Sequence, residues 1–179
     1  MGYSVAEDRP ELVEKAKQNM DAFLELYDRN VTGLYRYAFY QTGNRDEAED
    51  IVSQTFLQAR EHLHRYEQRG IPFSHWLYRI ASNLISRSQR RRQREIPLAA
   101  ETLEVAAAGE DPGSVTERID LGVLVRTLPE RQQQALTLRY IQDLSLRDVA
   151  QIMDLSEGAV KQLAFRALRT LRERMGERE

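Results

Sequence analysis

The sequence predicts an all-α protein, two small helical domains joined by a flexible linker. Three observations carry the prediction. Apolar residues recur at helical spacing over most of the chain, Gly and Pro gather in a few short stretches, and residues 95–113 lose the periodicity altogether. Hydrophobic residues make up 41% and charged residues 30% of the 179, a balance that suits helices burying one face rather than disorder.

Residues 11–41 read as helix, with a break expected near Asn30. Leu12, Ala16, Met20, Phe23, Leu24 and Tyr27 recur first, then Leu34, Tyr37, Ala38 and Phe39. Gly43-Asn44 ends this run because both residues tolerate a left-handed backbone. Asn44 or Asp46 caps the next helix, whose stripe is Ala48, Ile51, Val52, Thr55, Phe56, Ala59 and Leu63. Acids in its first turn suit the positive end of the helix dipole. Residues 67–72 form a loop, since Pro72 cannot continue a helix from behind. From Phe73 the period resumes through Trp76, Leu77, Ile80, Ala81, Leu84 and Ile85, then dissolves into the run RSQRRRQR. The first domain therefore spans 11–94. Residues 95–113 have linker composition, with an Ala-rich middle able to form a transient helix.

The second domain spans 114–175. Ile119, Leu121, Val123, Leu124 and Leu128 mark its first helix, and Pro129 takes the first position of the next. Ser145-Leu146-Arg147-Asp148 has the form of a capping box, so a short helix starts at Leu146. Asp154-Leu155 turns the chain and Ser156 caps a further helix. Two short helices joined by about three residues describe a helix-turn-helix, whose second helix enters the DNA major groove. Its outer face holds Ser156, Glu157, Lys161, Gln162, Phe165, Arg166 and Arg169, and the Lys, Gln and Arg residues are donors for base edges and phosphates. An ordinary helical hairpin with a solvated face has the same pattern.

Net charge is only −2, yet its distribution is uneven. Arg87–Arg94 and Lys161–Arg174 are basic, while acids cluster at 46–50 and 101–117, which points to two polyanion contacts and one of another kind. The absence of cysteine excludes disulfides and thiolate metal sites and fits a cytoplasmic location. No apolar run reaches the ~20 residues that span a bilayer, and the polar N-terminus is not a signal peptide. His62, His64 and His75 read as isolated surface residues, and no HExxH, phosphate loop or nucleophile elbow occurs. No catalytic residue, metal or cofactor is expected.

Three blocks then carry a family resemblance. DEAEDIVSQTFLQA (46–59), FSHWLYRIASN (73–83) and the stretch 128–171 resemble, in order, regions 2.2, 2.3–2.4 and 4 of extracytoplasmic-function sigma factors, the small sigma-70 group of bacterial RNA polymerase subunits. The resemblance covers about residues 20–94 and 115–175. It implies that Asp50, Ser53 and Gln54 dock on the β′ clamp helices of core polymerase, and that region 4 touches the β flap. It implies that a −10 base is flipped against Tyr66, with Asn83 bonding a base edge and Arg79, Arg87, Arg90 and Arg91 holding phosphates. Lys161, Gln162, Phe165 and Arg166 would read the −35 element. Trp76, in the stripe of Leu77 and Ile80, is assigned to the core. The chain departs from relatives at Leu163 and Phe165, where Arg and His are usual, so its −35 sequence is expected to differ. An anti-sigma factor is the expected regulator. The competing class is a dimeric helix-turn-helix regulator of an operator, against which the first domain speaks.

Overall fold

The computed structural model describes residues 9–67, 71–95 and 121–176, and all regular structure among them is helical. Helix α1 (Pro10–Ala16) starts at a proline, where the missing N–H costs nothing. The chain breaks at residues 17–19, and Asn19 caps α2 (Met20–Thr42) by accepting from the Ala22 amide at 3.1 Å. The break expected near Asn30 is therefore misplaced. Asn30 is buried inside α2 and donates through Nδ2 to the Leu26 carbonyl at 2.8 Å, a back-bond that satisfies the amide without interrupting the helix.

Gly43 ends α2 with φ +68°, and Asn44 opens α3 (Arg45–His62) by accepting from the Glu47 amide at 2.9 Å. A single 3₁₀ turn, Leu63–Arg65, closes α3. Helix α4 (Phe73–Glu95) runs straight through the arginine run instead of dissolving there. Arg is a good helix former, and Arg92 and Ser88 both grip Glu47 of α3.

The linker 95–113 falls, beyond Glu95, outside the described residues, as does the stretch up to 120. Beyond it come α5 (121–126), α6 (Glu130–Leu136), a π-helical turn (Thr137–Ile141), α7 (Leu146–Met153) and α8 (Glu157–Gly176). Pro129 is the residue before α6 rather than its first.

Val13, Leu26, Leu34, Tyr37, Phe56, Leu63, Phe73 and Leu77 fill the space between α1 and α4. Each aliphatic side chain buried this way contributes about 1.5–3 kcal/mol. The same cluster continues without a gap into Leu138, Leu144, Val149, Ile152 and Val160 of the second half. A smaller core of Leu124, Val125, Leu128, Leu136, Ala167 and Leu171 closes α5 and α6 against α8. The two halves thus pack against one another.

Candidate nucleic-acid interface

The capping box is formed in full: Ser145 accepts from the Asp148 amide at 3.1 Å while Asp148 accepts from the Ser145 amide at 3.2 Å. Asp154 then takes φ +54°, the left-handed conformation that a short polar side chain tolerates, and Leu155 N–H closes on the Ala150 carbonyl. Ser156 accepts from the Ala159 amide at 3.1 Å and starts α8. Val160, Ala164, Ala167 and Leu171 face inward, which leaves Ser156, Lys161, Gln162, Phe165 and Arg166 exposed on one side. Phe165 is 65% exposed, so this large apolar ring is presented to solvent rather than used in packing. The helix-turn-helix offers cations, an amide and an aromatic ring together.

A second basic face lies on α4. Arg79, Asn83, Arg87 and Arg90 recur at three- and four-residue steps and line one cleft of about 570 Å³. Its opposite wall comes from α6 and the end of α7, with Glu130, Arg131, Gln134 and Asp154. Asn83, Arg87 and Arg90 are exposed, whereas Arg79 donates to the Gln151 carbonyl of α7 through both Nε (3.0 Å) and Nη2. Beneath this face the Tyr37 hydroxyl meets Ser82 Oγ at 2.8 Å, and burial pushes both Tyr37 and Tyr78 above the ordinary tyrosine range. Both hydroxyls stay protonated, and that of Tyr78 donates to Gln142 at 3.3 Å.

Tyr66 is not beside Asn83. It sits near the N-terminal end of α4, its ring stacked on Trp76 with centroids 4.9 Å apart and edge-on to Phe73 at 5.8 Å. The ring is buried and its hydroxyl donates to the Ile71 carbonyl at 2.6 Å. Trp76 packs against the core as expected, yet it is only partly buried and borders, with Tyr66, His62 and Arg65, an open cleft of about 310 Å³. The seven residues from Trp76 to Asn83 place the two sites about 10 Å apart along one helix.

Arg87 also borders a neighbouring cleft of about 670 Å³, which it lines with Arg91 and with Asp50 and Gln54 of α3. Asp50, Ser53 and Gln54 are exposed, and Gln54 Nε2 donates to Asp50 at 2.6 Å. Leu57, one turn further on, is 60% exposed and extends this polar face with an apolar contact point.

Three contributors are not evident from the sequence: Trp76 as a cleft wall, Arg131 as the fourth cation of the α4 cleft, and Leu57. Arg131 carries no local signal, since only tertiary packing brings α6 to α4. His75 corrects the reading of three surface histidines. It is 5% exposed, with Nδ1 3.2 Å from Gln151 Oε1 and Nε2 3.7 Å from the Asp148 carboxylate, because α7 covers that turn of α4. Among the described residues no His, Cys, Asp and Glu group could hold a metal ion, and no helix is long and apolar enough to cross a membrane.

Known proteins resemble this chain in sequence and fold. The family described as Sigma-70 region 2 matches residues 26–95, and Sigma-70, region 4 matches residues 118–171. The ECF RNA polymerase sigma factor BldN of Streptomyces coelicolor is 37% identical over 90% of this chain, which spans 63% of that relative's length. The ECF RNA polymerase sigma-E factor of Haemophilus influenzae is 31% identical over 87% of this chain and 89% of its own. The fold also matches the sigma factor RpoE solved in complex with the anti-sigma factor NepR from Bartonella quintana, with a TM-score of 0.68 and 24% identity over 84% of this chain and 94% of that one.

Proposed function

The chain belongs to the sigma-70 family, in its extracytoplasmic-function group of RNA polymerase sigma factors, and from that premise we propose how its residues divide the work of promoter recognition. The observation that carries the division is the presence of two distinct basic faces in one chain, on α4 and α8, beside an exposed acidic-amide face on α3. An operator-binding regulator needs only the second of these.

Helix α8 reads the −35 duplex. Lys161, Gln162 and Arg166 reach base edges and phosphates from the major groove, and Phe165 packs on sugar or a thymine methyl. Helix α4 holds the melted −10 strand. Arg79, Arg87, Arg90 and Arg91 neutralise phosphates, and Asn83 can bond the edge of an unstacked base by donating from its NH2 and accepting at its carbonyl oxygen. Tyr66 and Trp76 provide the apolar wall for a flipped base at the other end of α4. Because Tyr66 is already stacked, the base would lie against the exposed margin of the pair. Asp50, Ser53 and Gln54, with Leu57 beside them, dock on the β′ clamp helices, and the second domain touches the β flap. This role asks no catalysis of the chain itself, and it places the protein where polymerase works, in the cytoplasm. The regulator is an anti-sigma factor, as in the RpoE complex with NepR.

Run-off transcription tests the proposal. Added to core polymerase lacking sigma, the purified chain should direct transcripts from defined start sites, and mapping those sites gives the promoter. Duplex binding with neither transcript nor core association would overturn it.

A further inference from the structure

Helix α4 keeps its period well past the point where it stops contributing to the core. Among its described side chains Ile85 is the last one buried, yet the helix runs on to Glu95. Residues 86–95 (SRSQRRRQRE) contain no apolar residue. A helix polar on every side holds together only through side-chain pairs, and a short one is marginal by itself. The pairs within this segment work against it. Arg87 stands three residues from Arg90 and four from Arg91, the spacings at which like charges repel. What keeps the segment helical therefore lies outside it.

Glu47 of α3 supplies that anchor. Its side chain is only 14% exposed, Oε1 accepts from Ser88 Oγ at 2.7 Å, and Oε2 pairs with Arg92. Ser88 and Arg92 are one turn apart, so a single carboxylate grips two successive turns of α4. Glu47 is itself fixed, because its amide donates to the Asn44 cap at 2.9 Å and its charge sits in the first turn of α3, where the helix dipole favours an anion. The other attachments are of a different kind. Ser86 bonds Glu130 of the second half, and Gln89 reaches the Gln41 carbonyl at 3.5 Å, the limit of a hydrogen bond. Beyond Leu84, α3 and α4 stand on either side of the cleft of about 670 Å³, and the Glu47 side chain bridges it.

We infer that Glu47 is a positioning residue for strand capture. On the reading of α4 as the strand holder, it touches no DNA but keeps the end of the helix formed, so that exposed Arg87, Arg90 and Arg91 stand at fixed spacing. Arginines presented in place lose less freedom on meeting phosphates than arginines on a frayed end. Charge alone predicts the opposite sign. A carboxylate beside phosphate-binding arginines opposes DNA, so if Glu47 acted only through its charge, removing it would tighten binding.

The test uses the chain assembled with core polymerase and a fluorescent single strand carrying the mapped nontemplate −10 sequence. Glu47→Ala should weaken strand binding about tenfold. Glu47→Gln, which keeps an acceptor for Ser88 but loses the ion pair, should weaken it less. Amide hydrogen exchange over residues 86–95 should quicken in the same order, while binding of a −35 duplex should not change. The lack of native cysteine allows Glu47→Cys with Ser88→Cys to be joined by a short thiol crosslinker, and this uncharged tether should restore strand binding. Unchanged or tighter binding in Glu47→Ala, or a tethered chain no better than the untethered pair, would overturn the inference. A wild-type chain that neither directs run-off transcripts nor binds the single strand would instead count against the sigma-factor reading, so the two failures are distinguishable.

Discussion

Helices α4 and α8 both carry basic residues on one side, but they keep them in different ways. Lys161, Gln162 and Arg166 project from α8 into solvent, and the helix is anchored from behind by small and aliphatic residues. On α4, Arg79 is engaged with α7, His75 is buried under it, and Asn83, Arg87 and Arg90 line a cleft whose other wall carries Glu130 and Asp154 beside Arg131. One face is ready to bind and the other is shared. The difference teaches that basic side chains on a helix are only half of a binding surface. What faces them decides whether DNA finds them.

The largest expected effect bears on the anchoring of α4. Trp76→Ala removes the ring that stacks on Tyr66 and leans on Phe73, and should cost about 3 kcal/mol of stability, read as a lowered urea midpoint, since truncating a packed aromatic forfeits its contacts. An unchanged midpoint would show that the aromatic group is a surface feature like Phe165. Next come the exposed cations of α8. Lys161→Ala and Arg166→Ala should each weaken −35 duplex binding by about 1–3 kcal/mol, with no change in folding stability. If both left binding untouched, α8 would not be the reading face. Ser145→Ala should then cost about 1 kcal/mol by removing the cap that sets the angle of the helix-turn-helix, measured by urea denaturation. Smallest is Glu25→Ala on the solvent side of α2. Its pair with Arg29 at 2.6 Å is half exposed and worth about 0.3–0.5 kcal/mol at most, so melting should barely move.

Legibility in the sequence follows the range of the interaction. The Ser145 capping box and the Gly43 stop are complete within a few residues and are where the sequence puts them, and of the two caps it allows, Asn44 and Asp46, the structure uses Asn44. Asn30 misleads because an Asn in a helix suggests a break until its back-bond to Leu26 is seen. Of the candidate site, the exposure of Asp50, Ser53, Gln54 and the α8 residues follows from helical periodicity alone. The burial of His75 does not, because its partner Gln151 lies 76 residues away. Neither does the stacking of Tyr66 on Trp76, which depends on how the chain returns from the 3₁₀ turn into α4.

In the proposed division of work, duplex reading and single-strand capture are separate events on separate helices. Permanganate footprinting of polymerase–promoter complexes, run beside ordinary footprinting of the −35 region, tests it most directly. Asn83→Ala should keep the upstream footprint while losing reactive thymines in the melted −10 region, and Arg166→Ala should lose both in proportion. Equal loss of both signals in Asn83→Ala, or of neither, would contradict it.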